Sequence, residues 1–155
     1  MPEYFEQLVS KAIKENDHFV YEGHLPEEEN WITPKRFKSA GYKVNFIFLG
    51  LKNVKTSALR VMDRAKLGGH NVPPYEIERN FYGNLKQLNK HFEIIDELQI
   101  VDTSDGTKMK VLTLFENGKV ISAVSVLTLP EWFENGLPNL YQKIFDKEGS
   151  LRSKR

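Results

Sequence analysis

Arg60 and Arg64 stand four residues apart, and Gly68-Gly69-His70 follows within a few positions. If the segment is helical, that spacing puts both guanidinium groups on one face. Arginine suits phosphate because its planar fork donates parallel hydrogen bonds to the oxygens. The glycine pair permits close backbone approach, His70 adds a donor, and Arg79 could join the cluster from the next helix. An arginine pair alone is more often an ordinary solvated basic face, and the full Arg, Arg, Gly-Gly-His arrangement is the more specific signal.

The elements that must hold these groups are legible in outline. Tyr4, Phe5, Leu8, Val9, Ala12 and Ile13 recur at helical spacing and open the chain with an amphipathic helix. His18 to Glu22 reads as a short strand. Thr33-Pro34 is a helix-start signal, with Thr33 as the cap, and Gly41 ends that helix. Val44 to Leu49 is the most apolar strand and is expected at the sheet centre. A helix is expected over Ser57 to Lys66, another after Pro73-Pro74, and a strand over Leu98 to Asp102. Lys110 to Val126, folded at Asn117-Gly118, reads as a β-hairpin. Pro130 opens a final segment. Alternating helix and strand predict an α/β fold: a mostly parallel sheet flanked by helices, with an antiparallel hairpin near the C-terminus. Residues 1–148 form the expected single domain and 149–155 an expected flexible basic tail. Ligands of such folds sit beyond the carboxyl ends of the strands.

Bulk properties narrow the field. The 155 residues carry a formal net charge of +1, with 40% hydrophobic and 28% charged residues. A near-zero charge argues against nucleic acid as the partner of the Arg60/Arg64/Arg79 surface. No apolar run approaches the roughly 20 residues of a membrane span, and no signal peptide is visible. The absence of cysteine fits a reducing, cytoplasmic setting. The histidines lack zinc-motif spacing, so no metal site is expected. The acidic run Glu27-Glu28-Glu29 reads as a solvated loop, Asp102 to Gly106 as a turn, and Trp31 and Trp132 as partly buried core.

Several segments together resemble one family. Tyr21-Glu22-Gly23-His24-Leu25, Ala40-Gly41-Tyr42-Lys43-Val44, Arg60-Val61, Arg64, Gly69-His70-Asn71-Val72-Pro73 and Ile77-Glu78-Arg79 look like the successive motifs of zeta-toxin-like P-loop kinases. The similarity covers roughly Phe5 to Ser104. The resemblance implies phosphoryl transfer from ATP with magnesium, a nucleotide or sugar-nucleotide ligand such as UDP-N-acetylglucosamine, and an antitoxin protein as partner. It implies that Arg60 contacts ATP phosphates from a lid-like helix, with Arg64, His70 and Arg79 in the same lid region. It also implies that Glu22 and His24 meet the substrate, with Gly23-His24 standing where the family has Gly-Thr or Thr-Thr.

One departure is large. P-loop enzymes cradle phosphates with Gly-x-x-x-x-Gly-Lys-Ser/Thr, and this sequence contains no such loop. The matching region would precede Met1, and the family's catalytic acid would lie there too. No catalytic residue is therefore assigned within this sequence. The expectation is a kinase fold inactive in this form, an N-terminally truncated version of the family fold. The alternative is a non-catalytic domain that binds a nucleotide or phosphorylated ligand.

Overall fold

The protein is described from a computed structural model covering residues 2–154. Met1 and Arg155, which the expected domain and tail include, lie outside the described residues. In chain order the elements are α1 (Glu3–Glu15), α2 (Ile32–Ser39), β1 (Asn45–Gly50), α3 (Val54–Lys66), α4 (Pro74–His91), β2 (Glu97–Asp102), β3 (Lys110–Glu116), β4 (Lys119–Ala123), α5 (Glu131–Gly136) and α6 (Pro138–Ser153).

Local chemistry explains most of these boundaries. Asn53 caps α3 by accepting from the Thr56 N–H at 2.8 Å, so the helix starts at Val54 rather than at Ser57. Pro73 and Pro74 open α4 as expected. Thr33 is no cap: it is buried inside the first turn of α2, which continues from a 3-10 turn over Glu28–Trp31. The Asn117-Gly118 turn has both residues at positive φ, 49° and 75°, as a tight hairpin requires. α6 runs to Ser153, so residues 149–153 are helical.

The sheet order is β1-β2-β3-β4. β1 and β2 are parallel, whereas β2-β3 and β3-β4 are antiparallel. The α/β class and the hairpin stand, but the mostly parallel sheet does not. The reason is connection length. A parallel return needs a crossover of about a dozen residues or more. Only the stretch between β1 and β2, carrying α3 and α4, supplies one. The links after β2 and β3 are short, so the chain must turn back antiparallel.

Two further expectations are corrected. β1 is an edge strand rather than the sheet centre. Its Phe46 and Phe48 pack on the core, but Ile47 and Leu49 remain 69% and 53% exposed on the opposite face. Residues 18–22 form no strand. A strand needs a ladder partner, and here the aromatic side chains packed elsewhere instead. Phe19 stacks on Phe37 at 5.1 Å between ring centroids, and Tyr21 meets Phe5 edge-on at 5.2 Å. Val20, between them, is left 95% exposed.

The main core lies on one face of the sheet. Leu98, Ile100, Leu112 and Phe115 meet Leu85 and Leu88 of α4, Trp132 and Phe133 of α5, and Leu140 and Ile144 of α6. A smaller cluster of Val9, Ala12, Phe37 and Val44 joins α1 and α2 to the start of β1. Asp96 links the two regions: it accepts from Lys38 Nζ at 2.6 Å and from the Val44 N–H at 2.7 Å.

Candidate functional site

The carboxyl ends of β1 and β2 are joined through Thr103. Its N–H and its hydroxyl both donate to the Gly50 carbonyl, at 2.8 and 3.0 Å. Arg60 reaches this junction from α3. Its Nη1 donates to Thr103 Oγ1 at 3.3 Å and its Nη2 to the Thr103 carbonyl. A guanidinium is thus fixed at the strand ends, where an α/β sheet presents ligands. Asp102 beside it accepts from both the N–H and the hydroxyl of Ser104, at 3.0 and 2.6 Å, the turn geometry expected of that sequence.

Arg64 lies one turn further along α3, exposed and with no side-chain partner among the described residues. The helix closes just beyond it. The Gly69 N–H donates to the Arg64 carbonyl at 2.8 Å, and a Cβ at Gly69 would lie equally close to that oxygen. Gly68 turns the chain at φ 94°. The glycine pair is thus explained by helix termination. His70 follows, exposed.

Arg79 belongs to a second locus. Its Nε lies 3.8 Å from Glu27 Oε1. Among the described residues no shared hydrogen-bond or ion-pair partner links it to Arg60 or Arg64. What it faces is the strap of residues 17–27, which crosses α4 at Gly83. A Cβ at Gly83 would lie 2.6 Å from both Cβ and the carbonyl oxygen of Pro26. One residue on, Asn84 holds the strap: its Oδ1 accepts from the Leu25 N–H at 2.7 Å, and its Nδ2 lies 2.9 Å from His24 Nδ1. Trp31 Nε1 donates to the Leu25 carbonyl at 3.3 Å. His24 and Glu22 are exposed on this strap.

Sequence reading missed Gly83, Asn84 and Glu28. A glycine in the interior of a helical segment was the available signal for the first two, since it costs about 1 kcal/mol against alanine unless something packs there. Glu28 was hidden within an acidic run. It meets Lys90 at 2.7 Å, His91 at 2.9 Å and Lys35 at 3.4 Å. The His91 approach is close but poorly aligned for a hydrogen bond. The Lys90 hydrogen bond above all, with His91 and Lys35 adding to it, holds the Glu28 carboxyl down to about 2. Trp31 and Trp132 are core residues, 1% and 6% exposed.

Two surface hollows, of about 500 and 330 Å³, lie elsewhere. The larger is lined by α1 and α2 residues including Ile13, Ile32 and Arg36, and neither contains a candidate residue. Among the described residues, no three His, Asp or Glu side chains gather as a metal site.

The fold is an α/β domain whose crossover helix fixes an arginine at the carboxyl ends of a parallel strand pair. The chain belongs to the Zeta toxin family, which it matches over residues 1–110. No curated protein and no solved structure matches it.

Proposed function

We propose that the chain carries the lid and substrate-handling part of a zeta-toxin-type kinase fold, and that by itself it binds phosphorylated ligands without transferring phosphate. The observation that carries this is Arg60. A guanidinium has five N–H donors in a fixed fork. Two are used on Thr103, which leaves three beside the strand ends for an anion. Arg64 adds charge one turn away. Phosphoryl transfer depends on positioning by backbone amides, a lysine and magnesium. The sequence has no Gly-x-x-x-x-Gly-Lys-Ser/Thr loop to supply the first two. Among the described residues no group of three carboxylates or histidines gathers to hold magnesium. ATP and a sugar nucleotide are the ligands the family suggests, with Glu22 and His24 on the substrate side and an antitoxin protein as partner. Among the described residues no helix is long and apolar enough to cross a membrane. The second reading, a regulatory domain that only binds, is favoured by the same missing loop.

The test is calorimetric titration with ATP and with UDP-N-acetylglucosamine, alongside an assay for phosphorylated sugar nucleotide. We expect ATP to bind weakly, at roughly millimolar Kd, or about −4 kcal/mol. Arg60→Ala should weaken that binding about tenfold or more, as loss of a charge-assisted hydrogen bond does. It should also cost about 1–2 kcal/mol of stability through Thr103. No product should form. Identical titrations for the two proteins would remove Arg60 from the site, and product above a protein-free control would overturn the binding-only reading.

A further inference from the structure

The strap holds a detail that the family resemblance does not supply. Asn84 touches it twice, and the two contacts differ in kind. The Leu25 backbone N–H can only donate, so the Asn84 atom it meets at 2.7 Å must be the carbonyl oxygen Oδ1. That orients the amide. The group facing His24 at 2.9 Å is then the NH2, which can only donate. His24 Nδ1 must therefore accept, and the ring proton must reside on Nε2. That nitrogen has no protein partner among the described residues, and His24 is exposed.

We propose that Asn84 is a positioning residue that fixes the ring and tautomer of His24, so that this strap offers an Nε2–H donor close in sequence to the Glu22 carboxylate. A ligand seated there must bring an acceptor oxygen to His24, such as a hydroxyl, carbonyl or phosphate oxygen, and a donor to Glu22. The ligand class rests on the reading of this strap as the substrate side; the tautomer assignment stands apart from it. The geometry also explains why α4 carries Gly83 beside Asn84. Only without a Cβ can the strap come close enough for its backbone to meet the Asn84 amide.

The experiment is long-range proton–nitrogen NMR of His24 in the full chain at alkaline pH. The wild type should show an imine-type Nδ1 and a pyrrole-type Nε2. Free imidazole already leans that way, so the decisive variant is Asn84→Asp. Its carboxylate still accepts from Leu25 but cannot donate to Nδ1, so the signals should exchange, with the proton moving to Nδ1. Asn84→Ala should give averaged signals. Thermal melts identify any variant that fails to fold, and the wild-type spectrum stands without them. A pyrrole-type Nδ1 in the wild type, or signals in Asn84→Asp identical to wild type, would overturn the assignment. Titration with UDP-N-acetylglucosamine is the second arm. We expect wild-type His24 signals to shift and Asn84→Asp to need at least about tenfold more ligand, about 1.4 kcal/mol. Failure of the wild type to bind would sink the substrate reading of the strap, while the tautomer result would still decide the role of Asn84.

Discussion

Glu28 joins the turn before α2 to the end of α4 by meeting three basic side chains, Lys90, His91 and Lys35. Its carboxyl is held at about 2, below its ordinary 4.5, first by Lys90 and then by His91. A carboxylate depressed on folding stabilises the native state above its unfolded value and loses that contribution as pH falls toward the folded one. The window here runs from about pH 4.5 down to about 2. The side chain is half exposed, so the effect should be modest and should shrink as salt screens it. We expect Glu28→Gln to flatten the acid limb of the stability curve inside that window at low salt. Urea unfolding across the pH range is the check. An unchanged limb would show that the three basic partners add nothing measurable.

At the scale of elements, one glycine decides how two layers meet. Gly50 ends β1 directly under Trp132, where a Cβ would sit 2.0 Å from the indole ring. α5 can lie on the sheet there only because β1 has no side chain at that point. Gly50→Ala should push α5 off the sheet and cost about 3 kcal/mol, the upper range for overpacking a tight core. Gly149 is the natural control. It lies within α6 with open space where its Cβ would be. Gly149→Ala should stabilise by up to about 1 kcal/mol through helix propensity alone. Opposite signs in urea denaturation would support this account. Equal, small effects would mean that the Trp132 contact yields easily.

At the scale of the molecule, the family match ends at residue 110 but the core does not. Trp132, Phe133, Leu137, Leu140 and Ile144 cover the sheet from beyond the match. Burying a large apolar side chain contributes about 1.5–3 kcal/mol, so these five together supply about 8–15 kcal/mol. That equals the whole net stability of an ordinary domain, about 5–15 kcal/mol. A chain ending at Leu129 should therefore lose its cooperative melt and bind a hydrophobic dye. A sharp melt close to that of the full chain would show that α5 and α6 are accessory.

The local signals in the sequence were sufficient wherever one residue type carries the reason. Pro73-Pro74 started α4, Asn117-Gly118 made the hairpin, and four-residue spacing put Arg60 and Arg64 on one helix. The motifs running from Tyr21 to Arg79 were enough to identify the family. Only tertiary structure decided the rest, because each remaining question concerned a partner distant in the chain. Whether residues 18–22 became a strand depended on a ladder partner, and Phe5 and Phe37 captured their aromatic rings instead. Whether β1 lay central or at an edge depended on whether a second strand paired along its free side, which composition does not encode. Arg79 came to lie beside Glu27, and Asn84 came to hold His24 from 60 residues away. Alternation and capping act within a few residues of the chain. The choice among competing long-range partners is made by packing, which no local pattern records.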